Sequence, residues 1–139
     1  KLGRLFVPVY YPRGIRWPPS LVAGQTRPYP ALVMEFPKSE GEGMGLAITQ
    51  TAVSRPPVHE SIAPATVLER MAYTLEGRAA VLESGLSRTG ERCSRLAWEE
   101  EGFRIVVATT ESPMELLRIA ESMLPGRSKA PAGASVGTR

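Results

Sequence analysis

The sequence predicts an α+β fold: an antiparallel sheet of about five or six strands covered by a C-terminal helix, with an extended proline-rich N-terminal arm. Three observations carry this expectation. Apolar residues alternate with a period of two over residues 31–36, 45–51, 93–98 and 103–109. Helical spacing behind a capping signal is clear in one place, from Ser112 onward. Residues 1–30 hold six of the 13 prolines and five of the nine aromatics, so this stretch is extended and yet packed against something.

In residues 1–30, Pro8, Pro12, Pro18, Pro19, Pro28 and Pro30 fix φ and lack the N–H donor. That excludes a helix or a central strand. An arm laid across the body is expected, with one short strand near residues 5–10. Leu32, Met34 and Phe36 then share one face of a strand, and Leu46 and Ile48 one face of the next. The glycine-rich stretch 37–44 between them is a hairpin tip. Arg55-Pro56-Pro57 breaks the pattern. Residues 60–75 stay open between a short helix from Pro64 through Arg70 and an extended run over 67–75. Gly77 precedes a short apolar strand at 79–82, and a polar loop at 84–91 follows. Cys93, Arg95 and Ala97 fall on one face of the next strand; Ser94, Leu96 and Trp98 fall on the other. Glu99-Glu100-Glu101-Gly102 turns the chain into a strand with Phe103, Ile105 and Val107 on one side. Ser112 as cap, Pro113 at the first position and Glu115 three residues past the cap start a helix. Leu116, Leu117, Ala120, Met123 and Leu124 form its apolar stripe, and Pro125-Gly126 stops it. The organisation is an arm (1–30), a single α+β domain (31–126) and a flexible basic tail (127–139).

All 14 acids are Glu, and Asp and Asn are absent. No Ser-His-Asp triad, aspartyl-phosphate site, aspartic dyad or Asp-rich calcium loop can be built. The missing amides fit either a thermophile avoiding heat-labile side chains or the codon bias of a GC-rich genome. His59 and Cys93 are the single members of their types, too few for a zinc site, and no metal or cofactor is expected. His59 reads as a surface or packing residue, and Cys93 as a small buried apolar one. Glu40 and Glu42, like Glu99, Glu100 and Glu101, read as solvated hairpin tips. Gly41, Gly43 and Gly45 lack the Gly-Lys-Ser/Thr and the following helix that a phosphate cradle needs.

Charge is unevenly placed: +5 over residues 1–30, −5 over 31–124 and +3 over 125–139. Basic ends on an acidic body suit an acidic partner or an anionic membrane surface. Tyr10, Tyr11, Arg13, Arg16 and Trp17 are the candidate partner-binding residues, because Tyr, Trp and Arg are enriched where proteins meet. The same mixture would suit single-stranded nucleic acid. No RNA-binding signature accompanies it, and nucleic acid is not expected. Trp98 faces the expected core; it is either structural or one wall of an apolar-ligand pocket between sheet and helix. No stretch approaches the ~18 apolar residues of a spanning helix.

Leu96-Ala97-Trp98-Glu99-Glu100-Glu101-Gly102-Phe103, a strand, and then the run from Ser112-Pro113-Met114-Glu115 to Met123 resemble the ending of a bacterial domain family of unknown function. Its members are extracytoplasmic modules of envelope, anti-sigma-factor and lipoprotein-carrier-like proteins, ending in Trp-x-x-x-Gly, strand and helix. The likeness covers residues 94–124. Tyr11-Pro12-x-Gly14 and Gly77 fit its earlier landmarks more loosely. It implies an α+β fold and a place outside the cytoplasmic membrane, held there through a region absent from this chain. It carries over no catalytic residue. The proline-rich arm and basic tail depart from the pattern and leave room for a subunit of a larger membrane assembly. The expected function is therefore a non-catalytic extracytoplasmic module that binds a protein or cell-envelope partner. Two alternatives stand beside it. One is a carrier or sensor of an apolar ligand near Trp98. The other is a Glu-dependent hydrolase, which needs two carboxyl groups facing each other at ~5–10 Å.

Overall fold

Two meanders run inward from opposite edges of one sheet and meet at its middle. The computed structural model describes residues 6–25, 31–54 and 62–124. From one edge come β1 (Leu21–Gln25), β2 (Ala31–Pro37) and β3 (Met44–Ala52). From the other come β4 (Thr66–Leu75), β5 (Arg78–Leu86), β6 (Arg92–Glu100) and β7 (Phe103–Thr109). All neighbours are antiparallel, in the order β1-β2-β3-β7-β6-β5-β4. Helix α1 (Pro113–Ser122) follows β7 and folds back onto β6 and β7.

Among the described residues the sheet has seven strands, against the five or six expected. The arm's strand is not at residues 5–10, since residues 6–10 form none. It is β1, a proline-free stretch between Pro19 and Pro28, and it lies at an edge, where neighbouring prolines are tolerated. In the ambiguous stretch 60–75 the extended alternative holds. No helix starts at Pro64, and Thr66–Leu75 is strand β4. Glu76 and Gly77 close the β4–β5 hairpin with φ of 48° and 87°, the doubly positive pair that matches the twist of the flanking strands. Beyond this turn β5 runs to Leu86, so the polar loop shrinks to residues 87–91.

The core lies between the sheet and α1. Met34, Ile48, Val107, Leu96 and Leu82 stand side by side in one row across five strands. Leu32, Gln50, Ile105, Trp98 and Ala80 form the next row. The expected parity of β6 and β7 holds, with Leu96, Trp98, Ile105 and Val107 all buried under the helix side. Ser112 caps the helix as expected, accepting a hydrogen bond from the Glu115 N–H at 3.3 Å. The buried stripe is Leu116, Ile119, Ala120, Met123 and Leu124. Leu117 is only partly buried and Ile119 takes its place, as i, i+3, i+4 spacing from Leu116 requires. Burying each such side chain contributes ~1.5–3 kcal/mol.

The opposite face of β3, β6 and β7 carries small residues. Ala47, Cys93 and Ala108 form a second buried cluster with Ile62, which belongs to the connection between β3 and β4. That connection links the middle of the sheet to its far edge, and small side chains beneath Ile62 leave room for it. His59 lies outside the described residues, as do Pro125, Gly126 and the tail.

Candidate partner-binding surface

The arm is held to the body by groups at both ends of the core. The Phe6 N–H reaches Gln50 Oε1 at 3.4 Å. The Val9 and Tyr10 N–H groups both donate to Ser122 Oγ, at 3.1 and 3.2 Å. The Tyr10 hydroxyl donates to Glu115 Oε1 at 2.6 Å. Glu115 therefore serves the arm with its side chain and the helix cap with its backbone. Further along, the Arg16 N–H donates to the Pro37 carbonyl at 2.8 Å and the Ser39 N–H to the Gly14 carbonyl at 2.9 Å. The Ser20 N–H donates to the Glu35 carbonyl at 2.8 Å, which leads the chain into β1.

These bonds sort the five candidate residues into two groups. Tyr10 and Tyr11 turn inward, where they pack against the core cluster. Arg13, Arg16 and Trp17 turn outward. The Tyr11 ring lies 5.2 Å from that of Trp17 and 5.3 Å from that of Phe36. Trp17 stacks on Phe36 at 5.8 Å yet leaves 58% of itself exposed. Arg16 donates through Nη2 to the Lys38 carbonyl at 3.0 Å, which fixes the guanidinium beside the tip of the β2–β3 hairpin. On the same face of the sheet edge stands Val22, paired with Met34 and 59% exposed. The result is an aromatic platform with Arg16 fixed next to it, while Arg13 lies nearer Lys38, Glu40 and Glu111. Large, preorganised Trp and Arg side chains are the types that carry most binding energy at protein interfaces.

The Tyr11 hydroxyl is shielded from water and has no hydrogen-bond partner among the described residues. Burial pushes its pKa up from 10 to about 12. Tyr11→Phe is therefore expected to stabilise the fold by about 1 kcal/mol at neutral pH, because an unsatisfied buried hydroxyl is removed. The sign of the pH effect follows from the raised value. The neutral phenol's contribution is complete below pH 10 and is lost as pH rises through about 12. The stability gap between variant and wild type should widen over that window. Paired urea titrations at pH 7 and pH 11 check it; a variant less stable than wild type at both would contradict the geometry.

The other candidates fall elsewhere. Trp98 is 3% exposed in the core cluster, and its indole N–H donates to Glu100 Oε1 at 3.2 Å. Glu100 is not solvated as expected: it is 8% exposed and ion-paired with Arg78. Cys93 is buried as expected, and burial first, then Glu91, raises its pKa and disfavours the thiolate. It borders a cavity of about 490 Å³ with Met44, Ile62, Ser87 and Arg88, on the sheet face away from α1. A shallower cavity of about 420 Å³ brings Glu40, Glu91 and Glu111 near Arg13 and Lys38. There Lys38 Nζ pairs directly with Glu91. Among the described residues no three His, Cys or Glu side chains gather as a metal site requires. No helix among them is long and apolar enough to cross a membrane.

No protein-family model, curated protein or solved structure matches this chain. The outward orientation of Arg13, Arg16 and Trp17 could not be read from residue types alone, because it depends on which arm residues the body engages.

Proposed function

We propose that this protein is a non-catalytic interaction module, working outside the cytoplasmic membrane, that holds a protein partner of the cell envelope through Arg13, Arg16 and Trp17. The observation that carries the reading is Trp17, stacked on Phe36 and still 58% exposed, next to the outward Arg16. Packing that fixes a large aromatic without covering it lowers the ordering cost of binding. The basic arm favours an acidic partner surface, and long-range attraction speeds the encounter. The extracytoplasmic setting rests on the likeness of residues 94–124 to envelope modules.

A photo-crosslinking amino acid in place of Trp17 tests this in membrane fractions of the native cell. One envelope protein should be captured. Adding Arg13→Glu and Arg16→Glu should cut capture at least about tenfold, since both reverse an exposed positive charge of the arm. Both arginines are exposed, so these changes should move Tm by no more than about 2 °C. Capture that survives both substitutions unchanged sinks the reading.

A further inference from the structure

We propose that the free edge of β4 is a second binding site, which takes an extended peptide strand with a carboxylate opposite Arg70 and an apolar side chain opposite Met71. Among the described residues β4 pairs with β5 alone, so its outer side presents unpaired backbone N–H and C=O groups. Helix α1 packs on β6 and β7, short of this edge. Residues 66–72 are exposed on both faces, with Leu68 at 61% and Met71 at 46%. Natural edges are blunted by Lys, Pro or bulges. β4 has a register shift between Val67 and Glu69, which spoils its first residues as a template. From Arg70 to Leu75 the register is regular and contains neither Lys nor Pro. A stretch of this kind fits another strand, with main-chain bonds giving affinity and alternate side chains giving specificity.

Charge sets the sequence of that strand. On the face away from α1, Arg70, Glu83 and Arg95 lie side by side on β4, β5 and β6. Glu83 serves both arginines, with Arg70 Nε at 3.6 Å and Arg95 Nη1 at 3.3 Å. These three positions carry two cations and one carboxylate, and the Arg70 side chain at the outer end is 68% exposed. A carboxylate opposite Arg70 on an incoming strand continues the alternation. On the helix side Met71 aligns with Leu82 and Leu96, so an apolar neighbour extends that core row.

A second copy of β4 does not meet these terms. Two identical free edges join antiparallel about a two-fold axis normal to the sheet, and opposed residues share a face. The axis then passes beside a residue opposed to itself. Glu69 and Arg70 point to different faces, so they can never oppose each other in the dimer. Registers centred on Glu69 or Arg70 set like charges face to face. Registers centred on Met71 or Ala72 offer Arg70 only Ala72 or Thr74, and one centred on Tyr73 would offer it Glu76, which lies past the end of β4 in the turn at φ 48° and is not strand. The occupant is therefore a different, acidic chain.

The test uses the unaltered full chain, isotope-labelled and titrated with a blocked Thr-Val-Glu-Val-Thr-Val peptide while amide NMR shifts are followed. Shifts should concentrate in β4 and β5, with slowed exchange at β4 amides. A peptide with Lys in place of Glu should bind about fivefold more weakly, and Arg70→Glu should reverse that order. A peptide with Pro at the centre should not bind. Equal affinity for the Glu and Lys peptides overturns the proposal. So does the absence of β4 shifts, or β4 shifts that grow with protein concentration alone, which would mean self-pairing. The edge lies across the sheet from Trp17, so Arg13→Glu should leave peptide binding unchanged whether or not the arm holds a partner.

Discussion

Arg78→Ala is expected to cost about 3–5 kcal/mol of unfolding free energy, because it leaves a buried carboxylate without its cation. Glu100 sits on the same face as Trp98, at 8% exposure, and three N–H donors from two side chains converge on it. Arg78 grips it at two points, through Nε and through Nη2 at 3.0 Å, while the Trp98 indole N–H supplies a third bond. Arg78 also donates to the Glu76 carbonyl at 3.0 Å, which ties the guanidinium to the β4–β5 turn. The hydrogen bonds and charge of Glu100 raise the Arg78 pKa and so favour the cation. Lysine at this position would offer a point charge without the planar fork and should recover part of the loss. Replacing both partners with methionine should recover most of it, because the cost lies in the orphaned charge more than in the absence of attraction. Urea denaturation of the single and double variants decides the matter. A single-variant loss below about 1 kcal/mol would mean that water screens the pair.

Glu100 also shows what could be read in the sequence and what could not. In a run of three glutamates the natural inference is a solvated tip, and Glu101 does sit in the turn, at φ 53°. Strand parity says otherwise for the middle one. Leu96 and Trp98 face the core, and one more step of two reaches Glu100. Composition outweighed periodicity in that expectation. Where local chemistry decides structure the sequence was legible, as in the Ser112 cap, the two-sided strand at 93–98 and the hairpin into β7. β4 stayed ambiguous because a strand exposed on both faces imprints no alternation. β1 was obscured by the prolines around it. In the arm the types of Tyr10, Tyr11 and Trp17 suggested an interface. Which of them faced outward depended on Ser122, Glu115 and Phe36, more than a hundred positions away in the cases of Ser122 and Glu115.

Gly85→Ala should cost about 3 kcal/mol, at the upper end of what overpacking does. A Cβ on Gly85 would lie 1.9 Å from the Thr66 carbonyl oxygen and 3.1 Å from the Val67 Cα. Both atoms are backbone, so no rotamer change relieves the clash. The β4 chain has to move away from β5 at the place where the register already shifts between Val67 and Glu69. The damage should be local at first. Hydrogen exchange should quicken in the first half of β4 while the amides of β6 and β7 stay protected, since those strands hold the core under α1. Gly45→Ala is the control. Its Cβ would lie 2.6 Å from Ile15 Cδ1, the far end of a side chain that can turn aside, with its closest backbone neighbour at 3.5 Å. Both changes add one methyl group inside the sheet, and they differ in whether the obstacle can yield. If the two variants lose equal stability, the β4 backbone at residues 66 and 67 yields to an added methyl group as readily as the Ile15 side chain does, although β4 stays held by its ladder with β5.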